Sequence, residues 1–171
     1  AFANMDIAGY NYGINRYRHD LKKYPNRLIL GSETFCSDAY RFWQLAQKEP
    51  RLIGDFVWAG MDYLGEVGVG SWEYRDYAPS FDHGPGWLTA GSGRIDLAGH
   101  PLAEAAYTQV AFGLGKGPVL AVRPVNHPGE KHSPSAWKMT DAIRSWSWHG
   151  CAGNPAVVEV YTTAASVELQ I

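Results

Sequence analysis

One carboxylate stands out by its position in the sequence. Glu33 ends the run 28–33, which is apolar at its start and polar at its end and so predicts a parallel strand. Catalytic side chains of α/β barrel enzymes lie at the carboxyl ends of such strands. Retaining glycosidases need one carboxylate as nucleophile and a second, about 5 Å away, as acid/base. A helix cap or a salt bridge would explain a single Glu at this position equally well.

The chain is also rich in aromatic residues, with seven Trp and ten Tyr. Many of them stand beside Gly, Asp or Asn instead of inside continuous apolar runs. A flat aromatic ring can cover the C–H face of a pyranose while neighbouring polar groups bind its hydroxyls. The composition therefore indicates a carbohydrate site, and packing in a core or at an interface explains it equally well.

Strands and helices alternate in the first part of the chain. The predicted elements are strands at 6–12, 28–33 and 52–58, helices at 15–24, from a cap at Ser37 or Asp38 to a stop near Pro50, and at 101–112, and a Gly-, Tyr- and Trp-rich stretch at 59–93. This alternation predicts βαβ units and a parallel sheet, as in an α/β barrel or a doubly wound sheet. Because barrel enzymes build their sites from loops at the carboxyl strand ends, we expect the 59–93 stretch near the site.

The composition changes after the Gly-rich segment 113–118, which is typical of a linker. Beyond it the predicted elements are short strands at 119–122, 145–148, 157–162 and 167–171. Short strands separated by turns favour a β-sandwich. Since about 50 residues are few for an immunoglobulin-like sandwich of roughly 100, we expect this part to hold only the beginning of one.

Three runs stand in a characteristic order: GYNY at 9–12, LILGSET at 28–34 and GDFVWAGMDYLGE at 54–66. They resemble strands six, seven and eight of the barrel of family 2 glycoside hydrolases, in a β-galactosidase-like branch, and the resemblance extends over nearly the whole chain. It implies an α/β fold in which residues 1–115 form the C-terminal part of a TIM (β/α)8 barrel. Residues 116–171 would then begin an all-β immunoglobulin-like sandwich.

The resemblance also implies roles for individual residues. Glu33 corresponds to the catalytic nucleophile, and Tyr12 corresponds to a Tyr that hydrogen-bonds this carboxylate. Trp58 corresponds to an aromatic residue in the floor of the sugar subsite. The Asn-Glu pair that carries the acid/base Glu of the family has no counterpart in the chain. We therefore expect that residue elsewhere in a longer parent polypeptide, and we expect the isolated chain to be inactive.

Three further polar residues are candidates for substrate binding. Asp62 and Glu66 follow the third strand and could contact sugar hydroxyls, or they could hold the long loop through backbone hydrogen bonds. Asn11 could orient Tyr12 or a ligand, or it could form a turn. For each of these residues the sequence leaves both roles open.

Charge and histidine spacing limit the other ligand classes. A formal net charge of −2 gives no basic field for nucleic acid or an anionic membrane. The six His residues lack the spacing of metal ligands, and the resemblance implies hydrolysis without an organic cofactor. We expect no metal, no cofactor and a neutral carbohydrate substrate, a β-galactoside. Cys36 and Cys151 are predicted to be free thiols.

Other assignments remain open. β-Glucuronidases and β-mannosidases share the same pattern, so the reaction is better defined than the sugar. A noncatalytic carbohydrate-binding or structural fragment is the alternative from another functional class. Part of a barrel has open sheet edges and uncovered apolar faces, which predicts contacts with the rest of the parent polypeptide or with copies of the chain.

Overall fold

The computed structural model describes residues 2–65, 68–74, 88–115, 117–132 and 135–170. Within these ranges the helices and strands are β1 (Ile7–Asn11), α1 (Ile14–Lys23), β2 (Leu28–Thr34), α2 (Ala39–Ala46), β3 (Leu52–Val57), α3 (Ala103–Ala111), β4 (Val119–Val122) and β5 (Val158–Tyr161). Short 3-10 helices at Phe2–Asn4 and Cys36–Asp38 precede β1 and α2. The predicted alternation of strands and helices is confirmed. Most ends differ by one or two residues, whereas α2 ends at Ala46, earlier than the stop predicted near Pro50.

The first three strands form a parallel sheet in the order β1-β2-β3. Parallel neighbours need a crossover connection, which α1 and α2 provide. Ile14, Tyr17 and Leu21 are three and four residues apart and are buried on one face of α1. The main core cluster consists of Ala8, Tyr10, Ile14, Tyr17, Leu21, Ile29, Phe42 and Leu52. The fold is therefore a mixed α/β arrangement whose core includes residues of the parallel sheet and of these helices.

A buried carboxylate holds α1 against β1. Asp20 is 2% exposed, and its Oδ2 accepts a hydrogen bond of 2.7 Å from the hydroxyl of Tyr10. Arg27 donates to the same hydroxyl at 3.1 Å and lies 3.8 Å from the carboxylate of Asp20. This network fixes the last turn of α1 to the end of β1.

β1 and β3 are the two edges of the parallel sheet, and both carry exposed apolar side chains. Phe56 on β3 is 64% exposed, and Ile7 and Ile53 are exposed as well. Open edges and apolar side chains of this kind are normally covered by neighbouring elements. A partner at these edges stays a prediction. Among the described residues, no helix has the length and apolar character that crossing a membrane requires.

β4 and β5 form an antiparallel pair, from Val119 opposite Tyr161 to Val122 opposite Val158. A second, small core joins this pair to α3 through Ala103, Ala121 and Ala142. Apolar contacts therefore cross the boundary predicted between residues 115 and 116. The division into two domains stays a prediction.

Two of the predicted strands do not form in the described part of the chain. Residues 145–148 and 167–170 have irregular backbone, and Trp146 and Leu169 are exposed. An extended segment becomes a strand only when a neighbour shares its backbone hydrogen bonds. In this region Ile143 exchanges such bonds with Val122, and the pairing stops there. The alternation of side chains at 145–148 predicted a strand. Such a pattern does not provide the neighbouring strand with which the segment would have to form hydrogen bonds.

Candidate active site

An irregularity in β2 determines where Glu33 points. Gly31 is buried, and a side chain added to it would meet the hydroxyl of Tyr17 on α1. Regular alternation along a strand would turn Glu33 toward the same side. However, consecutive residues of β1 pair with Gly31 and with Glu33, so Ser32 is an extra residue in β2. Such a bulge re-aims the side chains that follow it, and Thr34 takes the buried position instead of Glu33.

Tyr12 and Glu33 are joined by two hydrogen bonds. The hydroxyl of Tyr12 donates to Oε2 of Glu33 at 2.8 Å, and the backbone amide of Tyr12 donates to the carbonyl of Glu33 at 2.6 Å. Tyr12 has a φ of 52°, a left-handed conformation that is uncommon outside glycine. Backbone conformations of this kind persist where surrounding contacts enforce them, and they are frequent at functional sites. The bond that the resemblance implies is therefore present.

Two further aromatic rings contact the ring of Tyr12. Phe35 stacks on it with centroids 4.2 Å apart, and Trp137 meets it edge-on at 6.2 Å. The indole Nε1 of Trp137 donates a hydrogen bond of 2.7 Å to the hydroxyl oxygen of Tyr12. Sequence reasoning missed both residues. Phe35 follows the Ser-Glu-Thr run directly and could have been found, whereas Trp137 lies on a distant segment without a local signal.

The hydroxyl of Tyr12 stays protonated at neutral pH. Its burial, together with the hydrogen bond to Glu33, outweighs the opposing effect of the Trp137 hydrogen bond and raises the pKa of Tyr12 to about 12. An ionised carboxylate can only accept hydrogen bonds. The pair therefore has a permanent donor in Tyr12 and, when Glu33 is ionised, a permanent acceptor in its carboxylate.

Asn11 lies at the end of β1 and contacts the bulge of β2. Its side-chain oxygen accepts a hydrogen bond of 2.9 Å from the hydroxyl of Ser32. A side chain at Gly9 would lie 3.2 Å from the same hydroxyl, so the glycine leaves room for Ser32. Asn11 thus holds the residue before Glu33, and its contact with a ligand stays a prediction.

Trp58 lies at the carboxyl end of β3. Its amide donates to the carbonyl of Thr34 at 3.0 Å, and the peptide bond that follows it is cis. The side chain is 39% exposed and meets the ring of Tyr63 edge-on at 6.2 Å. Tyr12, Glu33 and Trp58 therefore lie at the carboxyl ends of three neighbouring parallel strands, where barrel enzymes carry their catalytic side chains.

The carboxylate of Asp62 is engaged by the loop that follows β3. Its Oδ2 accepts hydrogen bonds from the hydroxyl of Thr89 and, at 3.3 Å, from the amide of Gly91. Its Oδ1 accepts from the amide of Tyr63 at 3.0 Å. Two roles were predicted for Asp62, and these contacts correspond to the role of holding the loop. A contact with sugar stays a prediction. Glu66 lies outside the described residues.

A second carboxylate near β2 lies on the other side of the sheet. Asp55 of β3 accepts a hydrogen bond from the hydroxyl of Thr34, and burial raises the pKa of its carboxyl group. A side chain at Gly31 would overlap Asp55, so the two share the buried side next to α1. Within the described ranges, His, Cys, Asp and Glu form no group of three or more that could hold a metal ion.

Comparisons with known proteins give matches among solved structures. No protein-family profile matches the chain, and no curated protein sequence matches it. A glycosyl hydrolase family 2 member from Bacteroides cellulosilyticus, solved from microfluidic crystals, is 30% identical over 94% of this chain, with a TM-score of 0.77. A second family 2 member, from Bacteroides cellulosilyticus DSM 14838, is 25% identical over 94% of this chain, with a TM-score of 0.63.

The two solved proteins are much longer than this chain, which covers 21% of the first and 18% of the second. The similarity extends over both the parallel sheet and the segment with β4 and β5, since it includes nearly every residue of the chain. It agrees with the resemblance that the runs at 9–12, 28–34 and 54–66 predict. The chain is thus a segment of a glycosyl hydrolase family 2 protein.

Proposed function

We propose that the full-length protein hydrolyses terminal β-galactosides with retention of configuration and that Glu33 is its nucleophile. The observation that carries this proposal is the 2.8 Å hydrogen bond from Tyr12 to Glu33 at the ends of adjacent parallel strands. In the same proposal, β1, β2 and β3 are strands six to eight of a TIM barrel. The segment from 116 onward begins an immunoglobulin-like sandwich.

In the first half of the reaction an oxygen of Glu33 bonds to the anomeric carbon as the glycosidic C–O bond breaks. The leaving oxygen takes a proton from a Glu that we expect elsewhere in the full-length protein. In the second half, a water molecule gives a proton to that Glu. The oxygen of the water bonds to the anomeric carbon and displaces Glu33. Two displacements at one carbon give net retention.

The other side chains of the site support the nucleophile. Tyr12 donates to Glu33 and so holds the carboxylate oxygen in one orientation. Trp58 presents an exposed aromatic ring that can cover the apolar face of the sugar. Asn11 steadies the bulge that directs Glu33, and Asp62 and Glu66 are proposed to line the loop side of the subsite.

Covalent labelling tests the proposal directly. The full-length protein is treated with an activated 2-deoxy-2-fluoro-β-galactoside and digested, and the labelled peptide is identified by mass spectrometry. Label on Glu33 is the expected result, since a retaining enzyme accumulates this glycosyl-enzyme intermediate. Label on another residue, or none on the folded protein, contradicts the proposal. Gluco- and manno-configured reagents then separate a different sugar from a noncatalytic carbohydrate-binding protein.

A matched pair of substitutions gives an independent test. Glu33→Gln should lower turnover of a nitrophenyl β-galactoside by roughly three orders of magnitude or more, while the amide oxygen still accepts from Tyr12 and preserves folding. Glu49→Gln is the control, because Glu49 pairs with Arg51 in the connection between α2 and β3. It should keep turnover within about twofold. Near-normal turnover of Glu33→Gln would exclude Glu33 as the nucleophile.

A further inference from the structure

Trp137 reaches the candidate active site from a remote part of the chain. It lies between β4 and β5 and is 125 residues away from Tyr12, yet its Nε1 is 2.7 Å from the hydroxyl oxygen of Tyr12. Its ring also meets that of Phe35 edge-on, with centroids 5.8 Å apart. The segment that follows the parallel sheet therefore contributes a side chain beside the pair of Tyr12 and Glu33.

The chemistry of the three groups gives their hydrogen bonds one direction. The indole N–H of Trp137 is a donor only, and a carboxylate oxygen such as Oε2 of Glu33 accepts hydrogen bonds. The hydroxyl of Tyr12 can do both, but it has a single proton. Because the hydroxyl oxygen of Tyr12 accepts from Trp137, the single hydroxyl proton points to Oε2 of Glu33. Successive bonds in such a chain polarise and strengthen one another.

The segment around Trp137 is held on both sides. Two residues before it, the hydroxyl of Ser135 donates to the carbonyl of Val69 at 2.6 Å. One residue after it, the ammonium group of Lys138 lies 3.3 Å from the carboxylate of Glu104, which is buried on α3. The indole of Trp72 also donates to the carbonyl of Lys138, at 3.4 Å. These contacts fix the indole of Trp137 in place before any substrate binds.

We propose that Trp137 is a positioning residue for the glycosidase reaction, because it fixes both the ring of Tyr12 and the direction of its hydroxyl proton toward Glu33. This inference rests on the proposed function. The residue acts through Tyr12 and needs no contact with the sugar. Its removal therefore slows the step in which Glu33 reacts and leaves substrate binding nearly unchanged.

A double-mutant cycle in the full-length enzyme tests this inference. Trp137→Phe keeps an aromatic ring but removes the N–H donor, and Tyr12→Phe removes the hydroxyl through which the donor acts. We expect a loss in kcat of about three- to tenfold for Trp137→Phe, and of about 10- to 150-fold for Tyr12→Phe, whose hydroxyl bonds to a charged group. Adding Trp137→Phe to Tyr12→Phe should change kcat by less than about twofold, with KM nearly constant.

Trp43→Phe is the control substitution, since it also replaces an indole by a phenyl ring, but Trp43 lies on α2 and packs edge-on against Phe112. Any loss it causes should be equal with and without Tyr12→Phe. If Trp137→Phe does not fold, replacement of Trp137 by benzothienylalanine removes only the N–H and keeps the shape of the ring. Thermal unfolding of each variant establishes that it is folded.

The outcomes separate this inference from the proposed function. The inference is supported if two results hold. The full-length enzyme hydrolyses the glycoside and depends on Glu33, and Trp137→Phe lowers kcat in the wild-type background but not in the Tyr12→Phe background. Equal losses in both backgrounds, or a loss that appears in KM, would show that Trp137 acts through packing or on the sugar, and this would overturn it. If the wild-type enzyme does not hydrolyse glycosides, or does not depend on Glu33, the proposed function fails and the inference fails with it.

Discussion

The buried carboxylate of Asp20 provides a test of how α1 is held against β1, and thus of what supports the site. Asp20→Asn keeps the shape of the side chain and removes its charge. The hydroxyl of Tyr10 would then donate to a neutral oxygen. Arg16 and Arg27, which lie 3.4 and 3.8 Å from the carboxylate, would lose their counter-ion.

The expected loss follows from these contacts. A hydrogen bond to a charged group contributes about 1.5–3 kcal/mol. The side chain of Arg16 is 69% exposed, so its ion pair adds only about 0.3–0.5 kcal/mol. We expect Asp20→Asn to lower the free energy of local opening of α1 by about 2–3 kcal/mol. This corresponds to roughly 30- to 150-fold faster amide exchange.

Hydrogen exchange measured by mass spectrometry on the full-length protein gives the change in the free energy of local opening for α1 alone. Peptides from α2 serve as the internal reference, because α2 does not contact Asp20 through a hydrogen bond or an ion pair. Arg16→Ala is the control substitution and should accelerate exchange in α1 by less than about threefold. Equal exchange of α1 in Asp20→Asn and wild type at pH 7 would refute the assignment of this carboxylate as the anchor.

The dependence on pH supplies a second check. The hydrogen bond from Tyr10 is the largest cause that lowers the pKa of Asp20 in the folded protein, and the neighbouring cations act in the same direction. The unfolded chain, with a pKa of about 3.9, then binds more protons than the folded chain, so stability rises with pH. The difference between wild type and Asp20→Asn should be constant above about pH 5. It should close below about pH 4, as the pH falls through the lowered pKa.

Two further predictions concern the thiols and the loop after β3. Burial raises the pKa of the Cys36 thiol, which lies 3.3 Å from Nε of Arg94, whereas Cys151 is only partly buried. At pH 8 iodoacetamide should therefore label Cys151 in the native protein and Cys36 only after unfolding, as peptide mass spectrometry would show, and equal labelling would contradict this. A side chain at Gly93 would overlap the backbone of Asp62, whereas one at Gly60 meets nothing within 4 Å. Gly93→Ala should thus cost about 1–3 kcal/mol and Gly60→Ala less than about 0.5 kcal/mol; similar melting temperatures for both would refute this packing.

The regular elements were predictable because their signals are local. The apolar spacing along α1 and the apolar runs of β1, β2 and β3 gave the correct elements within one or two residues. The segment beyond residue 118 was less predictable, since a strand depends on a partner strand, and that partner is often far away in the sequence. β4 pairs with β5, whereas the segment 145–148 has no paired neighbour in the described part of the chain.

The candidate site was predictable to the extent that its residues belong to recognisable runs. Tyr12 and Trp58 directly follow β1 and β3, Glu33 is the penultimate residue of β2, and the resemblance named all three. The bulge at Ser32 was not predictable, because a run of seven residues does not reveal which one lacks a partner. Without that bulge, the rule of alternation would have turned Glu33 toward α1.

The two tyrosines of the β1 region show why Trp137 could not be found in the sequence. Each accepts a hydrogen bond from a donor-only group and donates to a carboxylate: Arg27 to Tyr10 to Asp20, and Trp137 to Tyr12 to Glu33. In the first chain all members lie within 17 residues of Tyr10, and α1 brings them together. In the second, the donor arrives only when the segment between β4 and β5 packs against the sheet. The first chain therefore needs only a local unit to form, whereas the second forms only after long-range docking, and a variant that weakens this docking should disturb Tyr12 while leaving Tyr10 in place.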